Sequence, residues 1–278
     1  MNQTTNNCIL CGSLQRNFLY SQDQWKVYQC ADCKLGVLDP RPDDTELARL
    51  YQQEYFQDQY KQELRIDSPE MRKRLDQEKQ RLRFFRSLKK SGKVLDIGCG
   101  RGYFLLACRE KGYQVEGVDL SADVAAYVRR ELSIPVHVGE IDHVQIPDKS
   151  CDVITMWHAL EHTADPNLYL HKARQWLKED GVLVVDVPNY AGHDAVKTWD
   201  HWLGWQLPYH LYHFTSDSLT ALLHKQGFTV IRHKHFLSEY VKQELEKLYI
   251  PSFIARIIAR CYSGHSYAVV AEKRQTGL

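Results

Sequence analysis

The sequence predicts an α/β protein with a doubly wound sheet, preceded by a small module that carries cysteine pairs. Two observations predict this fold class. From residue 92 onward, short aliphatic runs alternate with segments of helical periodicity, which is typical of parallel strands joined by crossover helices. Ahead of that region lie two Cys-x-x-Cys pairs with eighteen residues between them, a spacing typical of four-cysteine metal sites.

Composition and charge restrict the class of protein. The 278 residues suffice for one large domain, or for one domain and a small module, and 44% of them are hydrophobic. The formal net charge of +1 gives no electrostatic case for binding nucleic acid or membranes. No stretch approaches the length of a membrane helix, and the polar start MNQTTNN does not resemble a signal peptide. We therefore expect a cytoplasmic protein without membrane insertion, whose cysteines stay reduced and available to metal.

Residues 1–42 are predicted to form a zinc ribbon. The cysteines of the two pairs are Cys8, Cys11, Cys30 and Cys33. Each Cys-x-x-Cys turn brings two thiolates to one point, and two such turns complete the tetrahedron that Zn²⁺ prefers. Because all four ligands would come from the protein, we expect a structural zinc with no open position for water. Two disulfides are the alternative, which a reducing compartment disfavours.

Residues 43–90 are predicted to form a helical linker or cap. The segment TELARLYQQEYF, residues 45–56, has an apolar helical face, and apolar residues recur at helical spacing through residues 70–90. The second helix is otherwise basic, so it could face RNA. A solvated helix surface explains such a charge run more simply, and we prefer that interpretation.

Residues 91–278 are predicted to form the α/β domain. Its predicted strands are 93–97, 114–119, 135–138, 152–157, 181–187, 228–234 and 265–274. Its predicted helices are 101–111, 121–132, 166–178 and 215–225, with a further helical segment ahead of the last strand. An insertion at about 189–214 exceeds what such a sheet requires.

A glycine turn follows the first strand of this domain. The run KVLDIGCGRG gives the pattern D-x-G-x-G-x-G, with Asp96, Gly98, Gly100 and Gly102. Glycine lets the backbone pass close to a ligand where a side chain would block it. A dinucleotide-binding fingerprint would require a glycine at position 103, where Tyr103 stands. The ligand is therefore predicted to be something other than a dinucleotide.

The second strand of the domain ends in an acid, Asp119, within VEGVDL. A carboxylate at a strand tip can accept two hydrogen bonds from a ribose diol, and we assign this role to Asp119. The alternative is a surface or helix-capping acid, which the preceding glycine turn disfavours. Ser121 is predicted to cap the following helix.

With this glycine turn followed by an acid-ended strand, the chain resembles class I S-adenosylmethionine (SAM) methyltransferases. Its Cys-x-x-Cys pairs and a later P-x-H-L-x-H-F-T segment make it similar to bacterial small-molecule and quinol-type members that carry an N-terminal zinc ribbon. The resemblance implies a seven-stranded Rossmann-like methyltransferase sheet whose last strand is antiparallel. It also implies SAM as cofactor, contacted by Asp96, Gly98, Cys99, Gly100, Gly102, Asp119, Leu120, Glu140, Ile141 and Trp157.

The same resemblance places the adenine of SAM beside the segment VHVGEID. Glu140 is the candidate for contacting the adenine amine, and Asp142 is the competing acid. The fourth strand ends at Trp157 and His158. These two residues should face the ligand crevice, because open α/β sheets bind ligands beyond the carboxyl ends of their strands.

A Glu161-His162 pair follows the fourth strand. Some quinol O-methyltransferases that the chain resembles have E-x-x-E-H at this point and bind a divalent metal. His158 replaces the first acid in this sequence, and Mg²⁺ prefers oxygen ligands. We therefore interpret the pair as a structural turn in which His162 bonds to backbone.

The insertion is predicted to select the substrate. It holds three tryptophans and four histidines, which are Trp199, Trp202, Trp205, His193, His201, His210 and His213. Loops above the strand ends hold substrate in this architecture, where aromatic residues can stack on sugar or quinone rings. Neutral imidazole can take a hydroxyl proton, so we predict His210 as the catalytic general base, with His213 as the second choice. Packed or capping roles are the alternative for both.

The sequence thus predicts an enzyme that O-methylates a small polar or ring-bearing metabolite, such as a sugar, a secondary metabolite or a quinol. The implied partner is a small-molecule acceptor. One alternative is an RNA or protein methyltransferase that docks its substrate on the ribbon and the basic helix. Another is a SAM-binding regulatory protein without turnover.

Overall fold

Three antiparallel strands form the N-terminal part of the described chain, which comprises residues 7–43, 45–46 and 68–274 of a computed structural model. They are β1 (Arg16–Gln22), β2 (Trp25–Cys30) and β3 (Gly36–Leu38). Trp25 and Val27 of β2 are buried and the residue between them is exposed, as expected for a strand with one solvated face. β2 pairs with both neighbours, so these strands form an antiparallel meander.

A seven-stranded mixed sheet forms the centre of the remaining chain. Its strands are β4 (Lys93–Ile97), β5 (Gln114–Asp119), β6 (Val136–Val138), β7 (Cys151–Trp157), β8 (Leu177–Pro188), β10 (Phe228–Leu237) and β11 (Ser263–Lys273). The short strand β9 (Tyr212–His213) comes between β8 and β10 in the chain and belongs to another sheet. The order across the sheet is β10-β11-β8-β7-β4-β5-β6. β11 runs antiparallel to both of its neighbours, β10 and β8, and the other six strands of this sheet share one direction. The predicted doubly wound sheet with an antiparallel last strand is confirmed.

Both faces of this sheet are buried, which explains the near-continuous aliphatic runs of its central strands. Along β8, Leu183 and Val185 belong to one hydrophobic cluster, and Val182 and Val184 belong to the other. The helices within the described residues are α1 (Pro69–Glu78), α2 (Tyr103–Arg109), α3 (Ala122–Leu132), α4 (Pro166–Trp176), α5 (His193–Thr198), α6 (Ser216–Lys225), α7 (Glu239–Lys247) and α8 (Ser252–Ala259). Among them, none combines the length and the apolar character that a membrane span requires.

The basic segment 70–90 is helical over less of its length than predicted. α1 ends at Glu78, and a 3₁₀ turn, Arg81–Phe84, follows it. Leu82 and Phe85 are 2% and 0% exposed, so their packing outweighs the preference for a continuous helix. The predicted helix at 45–56 lies outside the described residues, except for residues 45 and 46.

The insertion at 189–214 connects the N-terminal strands to the main sheet. β9 lies within it and pairs with β3, which makes a second sheet of order β1-β2-β3-β9. Trp205 is 1% exposed and stacks on Tyr20 of β1, with ring centroids 4.3 Å apart. The insertion therefore packs against the cysteine-bearing module instead of forming an open loop. The predicted domain boundaries, 1–42, 43–90 and 91–278, stay predictions.

Candidate functional site

The carboxyl ends of β4, β5, β6 and β7 meet at one edge of the main sheet, where open α/β sheets bind their ligands. The loop after β4 has three glycines with positive φ, which are Gly98 at 76°, Gly100 at 49° and Gly102 at 70°. Residues with a Cβ rarely adopt this conformation, which explains the glycine pattern of the sequence. Gly102 is the N-cap of α2, so the loop leads directly into that helix.

Gly98 also packs against the loop that follows β7. A Cβ at position 98 would lie 2.7 Å from the Cβ of Ala159, closer than two carbon atoms can approach without displacement. The glycine loop and the residues that follow β7 are therefore in direct contact. His158, which precedes Ala159, lies at this junction.

Replacing Gly98 with alanine is expected to destabilise the protein more than the same change at Gly112. Both glycines have positive φ, 76° and 88°, so both substitutions strain the backbone. Nothing lies within 4 Å of a Cβ at Gly112, whereas Gly98→Ala collides with Ala159. Overpacking of this kind costs about 1–3 kcal/mol. Urea unfolding measures the difference, and equal free energies of unfolding for the two variants would contradict the tight contact.

Asp119 is fixed beside the glycine loop by two backbone hydrogen bonds. The N–H of Gly100 donates to its Oδ2 at 2.8 Å, and the N–H of Ser121 donates to its Oδ1 at 3.0 Å. Burial raises the pKa of Asp119, and these N–H groups oppose that shift. Each carboxylate oxygen keeps a second acceptor position, which is what a ribose diol requires. Ser121 caps α3 by accepting from Val124 N, as predicted.

Asp96 and Cys99 lie beneath the loop. Asp96 is 3% exposed, and its Oδ1 accepts a hydrogen bond from Thr155 Oγ1 at 2.5 Å. Burial raises the pKa of Asp96 to about 8, which favours the protonated carboxyl. The Sγ of Cys99 fills the space above Gly117, where a Cβ would lie 2.5 Å from it. Both side chains support the loop from below, and the predicted contacts of Asp96 and Cys99 with the cofactor stay predictions.

The residues predicted around the adenine follow β6 and β5. Glu140 is exposed, and its Oε2 accepts a hydrogen bond from Tyr169 Oη at 3.2 Å. Ile141 is buried beside it, and Leu120 is half exposed at the tip of β5. Asp142, the competing acid, is exposed and lies 3.6 Å from a histidine next to it. Glu140 is thus the better anchored of the two acids.

Trp157, the last residue of β7, forms part of an aromatic group near the crevice. It is 7% exposed, and its ring makes edge contacts with Phe84 at 5.4 Å and Phe104 at 5.5 Å between centroids. The guanidinium of Arg81 lies over the same ring at 5.0 Å. The 3₁₀ turn that carries Arg81 and Phe84 therefore covers the end of β7.

A cluster of ionisable side chains lies beyond the ends of β7 and β8. His158 Nδ1 is 3.2 Å from Glu161 Oε1, and His158 Nε2 is 3.6 Å from Asp186 Oδ2. The ring of His265, in β11, has its centroid 6.1 Å from that of His158. Burial disfavours a charged His158, but the carboxylates of Asp186 and Glu161 outweigh it and raise the pKa of His158 above its ordinary value.

The turn that contains Glu161 and His162 has the hydrogen bond that its predicted structural role requires. His162 Nδ1 donates to the carbonyl oxygen of Tyr209 at 3.1 Å. This is the bond to backbone that the sequence interpretation of the Glu161-His162 pair predicts. It ties the turn to the insertion.

The two insertion histidines predicted to be catalytic are enclosed. His210 and His213 are 4% and 3% exposed. His210 Nδ1 donates to Gly204 O at 2.8 Å, and burial together with neighbouring histidines lowers its pKa well below the ordinary value. Burial lowers the pKa of His213 to about 3. Both rings are neutral at pH 7, as a base must be, but their lowered pKa makes them weak bases. Their catalytic assignment stays a prediction.

The insertion tryptophans form a packed cluster. Trp205 contacts Trp199 and Trp202 edge-on, each at 5.2 Å between ring centroids. Its Nε1 donates to Trp199 O at 2.8 Å. Trp205 is buried against Tyr20 of the cysteine-bearing module, and Trp202 is buried beside Trp205 and the ring of His265, so both rings pack within the fold.

Comparison with known proteins gives the family. A family model described as a methyltransferase domain matches residues 69–233, more than half of the chain. The chain belongs to the methyltransferase family. It is similar to a probable SAM-dependent methyltransferase of Mycobacterium tuberculosis, at 31% identity over 142 residues, which are 49% of this chain and 48% of that protein. It is also similar to a ubiquinone biosynthesis O-methyltransferase of Idiomarina loihiensis, at 34% identity over 126 residues, which are 41% of this chain and 50% of that protein.

Solved methyltransferase structures share the fold. A SAM-dependent methyltransferase from Archaeoglobus fulgidus aligns with a TM-score of 0.55 at 23% identity, over 78% of this chain and 98% of that one. The 1,6-didemethyltoxoflavin-N1-methyltransferase of Burkholderia thailandensis aligns with a TM-score of 0.55 at 18% identity, over 93% of this chain and 99% of that one. At these identities the likeness shows the fold alone. The chain spans about half the length of the curated relatives it matches.

The four cysteines of the N-terminal module converge on one point. The Sγ atoms of Cys8 and Cys33 are 3.4 Å apart, those of Cys11 and Cys30 are 3.5 Å apart, and all four lie within 4.8 Å of one another. Sulfurs at about 2.3 Å from a tetrahedral zinc lie roughly 3.8 Å from each other, so the arrangement fits such an ion. The separations are too long for the disulfides that the sequence left as an alternative.

Sequence reasoning did not find Asp186, one of the two acids that flank His158. Asp186 lies inside the aliphatic run of β8, and its Oδ1 has no hydrogen-bond partner within the described part of the chain. An acid in a buried strand is itself a signal, because an unpaired carboxylate is costly to bury. His265 gave no local signal, since only the pairing of β11 with β8 brings it near His158.

Proposed function

We propose that this methyltransferase moves the methyl group of SAM to a hydroxyl oxygen of a small polar or ring-bearing acceptor, such as a sugar, a secondary metabolite or a quinol. One observation carries the SAM part of the proposal. Asp119, at the end of β5, is fixed by the N–H groups of Gly100 and Ser121 and keeps acceptor positions for a ribose diol. No pyrophosphate site is required there, which agrees with the absence of a glycine at position 103.

Bound SAM would supply an electrophilic methyl group on its sulfonium sulfur. The chain's own residues would bind and orient it. Asp119 would accept from the ribose, Glu140 would face the adenine amine, and the loop from Gly98 to Gly102 would admit the amino-acid end without a side chain in the way. Trp157, under the 3₁₀ turn that carries Arg81, would help to exclude water from the methyl group.

Two observations support oxygen as the methylated atom. A hydroxyl must lose a proton during transfer, and a histidine between two carboxylates lies at the junction with the glycine loop. The relative from Idiomarina loihiensis is named a ubiquinone biosynthesis O-methyltransferase. RNA or protein methylation and SAM binding without turnover remain the alternatives, which the experiment below separates.

We also propose that Cys8, Cys11, Cys30 and Cys33 hold one structural Zn²⁺. The four sulfurs have the mutual distances that a tetrahedral site requires. A four-sulfur site leaves no position for a reacting water, so the ion would stabilise the module and take no part in transfer.

An acceptor screen with methyl-labelled SAM tests the proposed reaction. The full chain is incubated with labelled SAM and panels of sugars, catechols and quinols, and the label is located in the product by mass spectrometry and NMR. Label on an acceptor oxygen supports the proposal. Label on nitrogen or carbon contradicts it, and label only in RNA or protein fractions favours the macromolecular alternative. SAM binding without label transfer to any fraction favours the regulatory alternative.

A further inference from the structure

His158 has an unusual backbone conformation at the edge of the crevice. It is the first residue after β7, and its φ is 51°, a value that residues with a side chain rarely adopt. Such conformations cost roughly 1–3 kcal/mol and tend to persist at functional sites, where the surrounding structure holds them in place. Here the N–H of His158 donates to Asp186 O at 2.9 Å, which fixes the backbone beside β8.

The contacts of the ring determine which nitrogen carries the hydrogen. Nδ1 lies 3.2 Å from Glu161 Oε1, and an ionised carboxylate can only accept, so Nδ1 is the donor. Nε2 is then the nitrogen with the lone pair when the ring is neutral. Asp186 Oδ2 is 3.6 Å from Nε2, too far for a hydrogen bond but close enough to stabilise an imidazolium. The same division between an orienting carboxylate and a basic nitrogen operates in Ser-His-Asp hydrolases.

The side chain of His158 is accessible to solvent, whereas those of Glu161 and Asp186 are buried. The side chain of His158 is 36% exposed, while those of Glu161 and Asp186 are 1% and 5% exposed. Only the imidazole can therefore meet a molecule in the crevice. The next residue, Ala159, is the one against which Gly98 packs, so His158 is one residue away from the contact with the loop proposed to receive the amino-acid end of SAM.

We propose that His158 is the general base of this methyl transfer, with Glu161 and Asp186 as positioning residues. As the acceptor oxygen forms its bond to the methyl carbon, the carbon–sulfur bond breaks and its electron pair stays on sulfur, while the hydroxyl proton moves to His158 Nε2. The imidazolium later returns that proton to solvent. This inference rests on the proposed function, and it gives to His158 the role that the sequence assigned to His210.

The charged and titratable groups around His158 come from several elements. Asp186 in β8 and Glu161 in the turn after β7 favour the imidazolium, and Arg81 in the 3₁₀ turn after α1 opposes it. His265 in β11 faces the ring at 6.1 Å, and the rings of His162 and His210 also interact electrostatically with it. The net result is a base that is protonated more readily than a free histidine.

Histidine NMR of the full chain with two SAM analogues tests this assignment without an acceptor. S-adenosylhomocysteine has a neutral thioether where SAM has its methylsulfonium, and sinefungin has an ammonium group there. If His158 Nε2 faces the transferred methyl group, the ammonium should lower the titration midpoint of His158 relative to the S-adenosylhomocysteine complex. The expected shift is about one pH unit, for charges roughly 6 Å apart at an effective dielectric constant of about 40.

Variants complete the experiment. His158→Gln identifies the resonance by its loss, and exposed His171 on α4 provides a reference resonance in every sample. Glu161→Gln should lower the midpoint of His158, because the carboxylate charge that favours the imidazolium is removed. Equal midpoints in the two complexes would overturn the role of His158 while leaving SAM binding intact. Failure of both analogues to bind would instead contradict the proposed function, and the role of His158 with it.

Discussion

Replacing Cys30 and Cys33 with serine is expected to remove about one zinc ion per chain and to unfold the N-terminal module. Structural zinc contributes about 10–16 kcal/mol of apparent folding free energy in small zinc-finger peptides. The module has only a few buried apolar residues of its own, such as Leu10, Trp25 and Val27, so the metal must provide much of its stability.

Elemental analysis of the purified protein measures the zinc, and hydrogen exchange measures the protection of β1 to β3. Cys261→Ser is the matched control, because Cys261 is exposed and lies outside the four-sulfur cluster. It should leave both zinc content and protection unchanged. A wild-type protein that contains no zinc and still protects these strands would refute the structural site.

The loss of zinc should affect the insertion more than the SAM side of the site. β3 pairs with β9, and Tyr190 of the insertion donates to Lys34 O and accepts from Gln29 Nε2 in the module. Asp119 and the glycine loop, in contrast, are held by β4 and β5 in the main sheet. Metal-depleted protein is thus expected to keep most of its affinity for SAM while the insertion loses order.

Replacing Asp119 with alanine is expected to reduce SAM affinity by roughly a hundredfold or more. Two charge-assisted hydrogen bonds to the ribose would be lost, and each is worth about 1.5–3 kcal/mol. The N–H groups of Gly100 and Ser121 would also lose their acceptor, which loosens the glycine loop.

Calorimetric titration with SAM measures the affinity of Asp119→Ala. Asp123→Ala is the control, because Asp123 is an exposed acid in the first turn of α3, four residues further along the chain. The control should bind like the wild type. An affinity of Asp119→Ala equal to that of the control would refute the ribose assignment.

The sheet was predictable because its signals are local. Aliphatic runs such as KVLDI and CDVITMW are long enough to identify strands, and the closely spaced glycines after β4 are by themselves enough to indicate a turn with positive φ. Asp119 follows from the same local pattern. The length of α1 was not predictable, because it depends on Leu82 and Phe85 packing against residues far along the chain.

The insertion shows where sequence reasoning fails in physical terms. Its tryptophans and histidines have the composition of a substrate site, yet Trp205 is buried against Tyr20, about 185 positions earlier in the chain, and His210 and His213 are enclosed. Pairing over such distances leaves no periodicity to detect. The environment of His158 was hidden for the same reason, since Asp186 and His265 reach it only through the strand order of the sheet.

A crystal structure of the full chain with S-adenosylhomocysteine would test the central claim most directly. The account predicts both ribose hydroxyls within about 3.2 Å of the Asp119 carboxylate, the adenine beside Glu140 and the thioether sulfur facing the ring of His158. A ligand bound elsewhere, or a ribose without a hydrogen bond to Asp119, would contradict it.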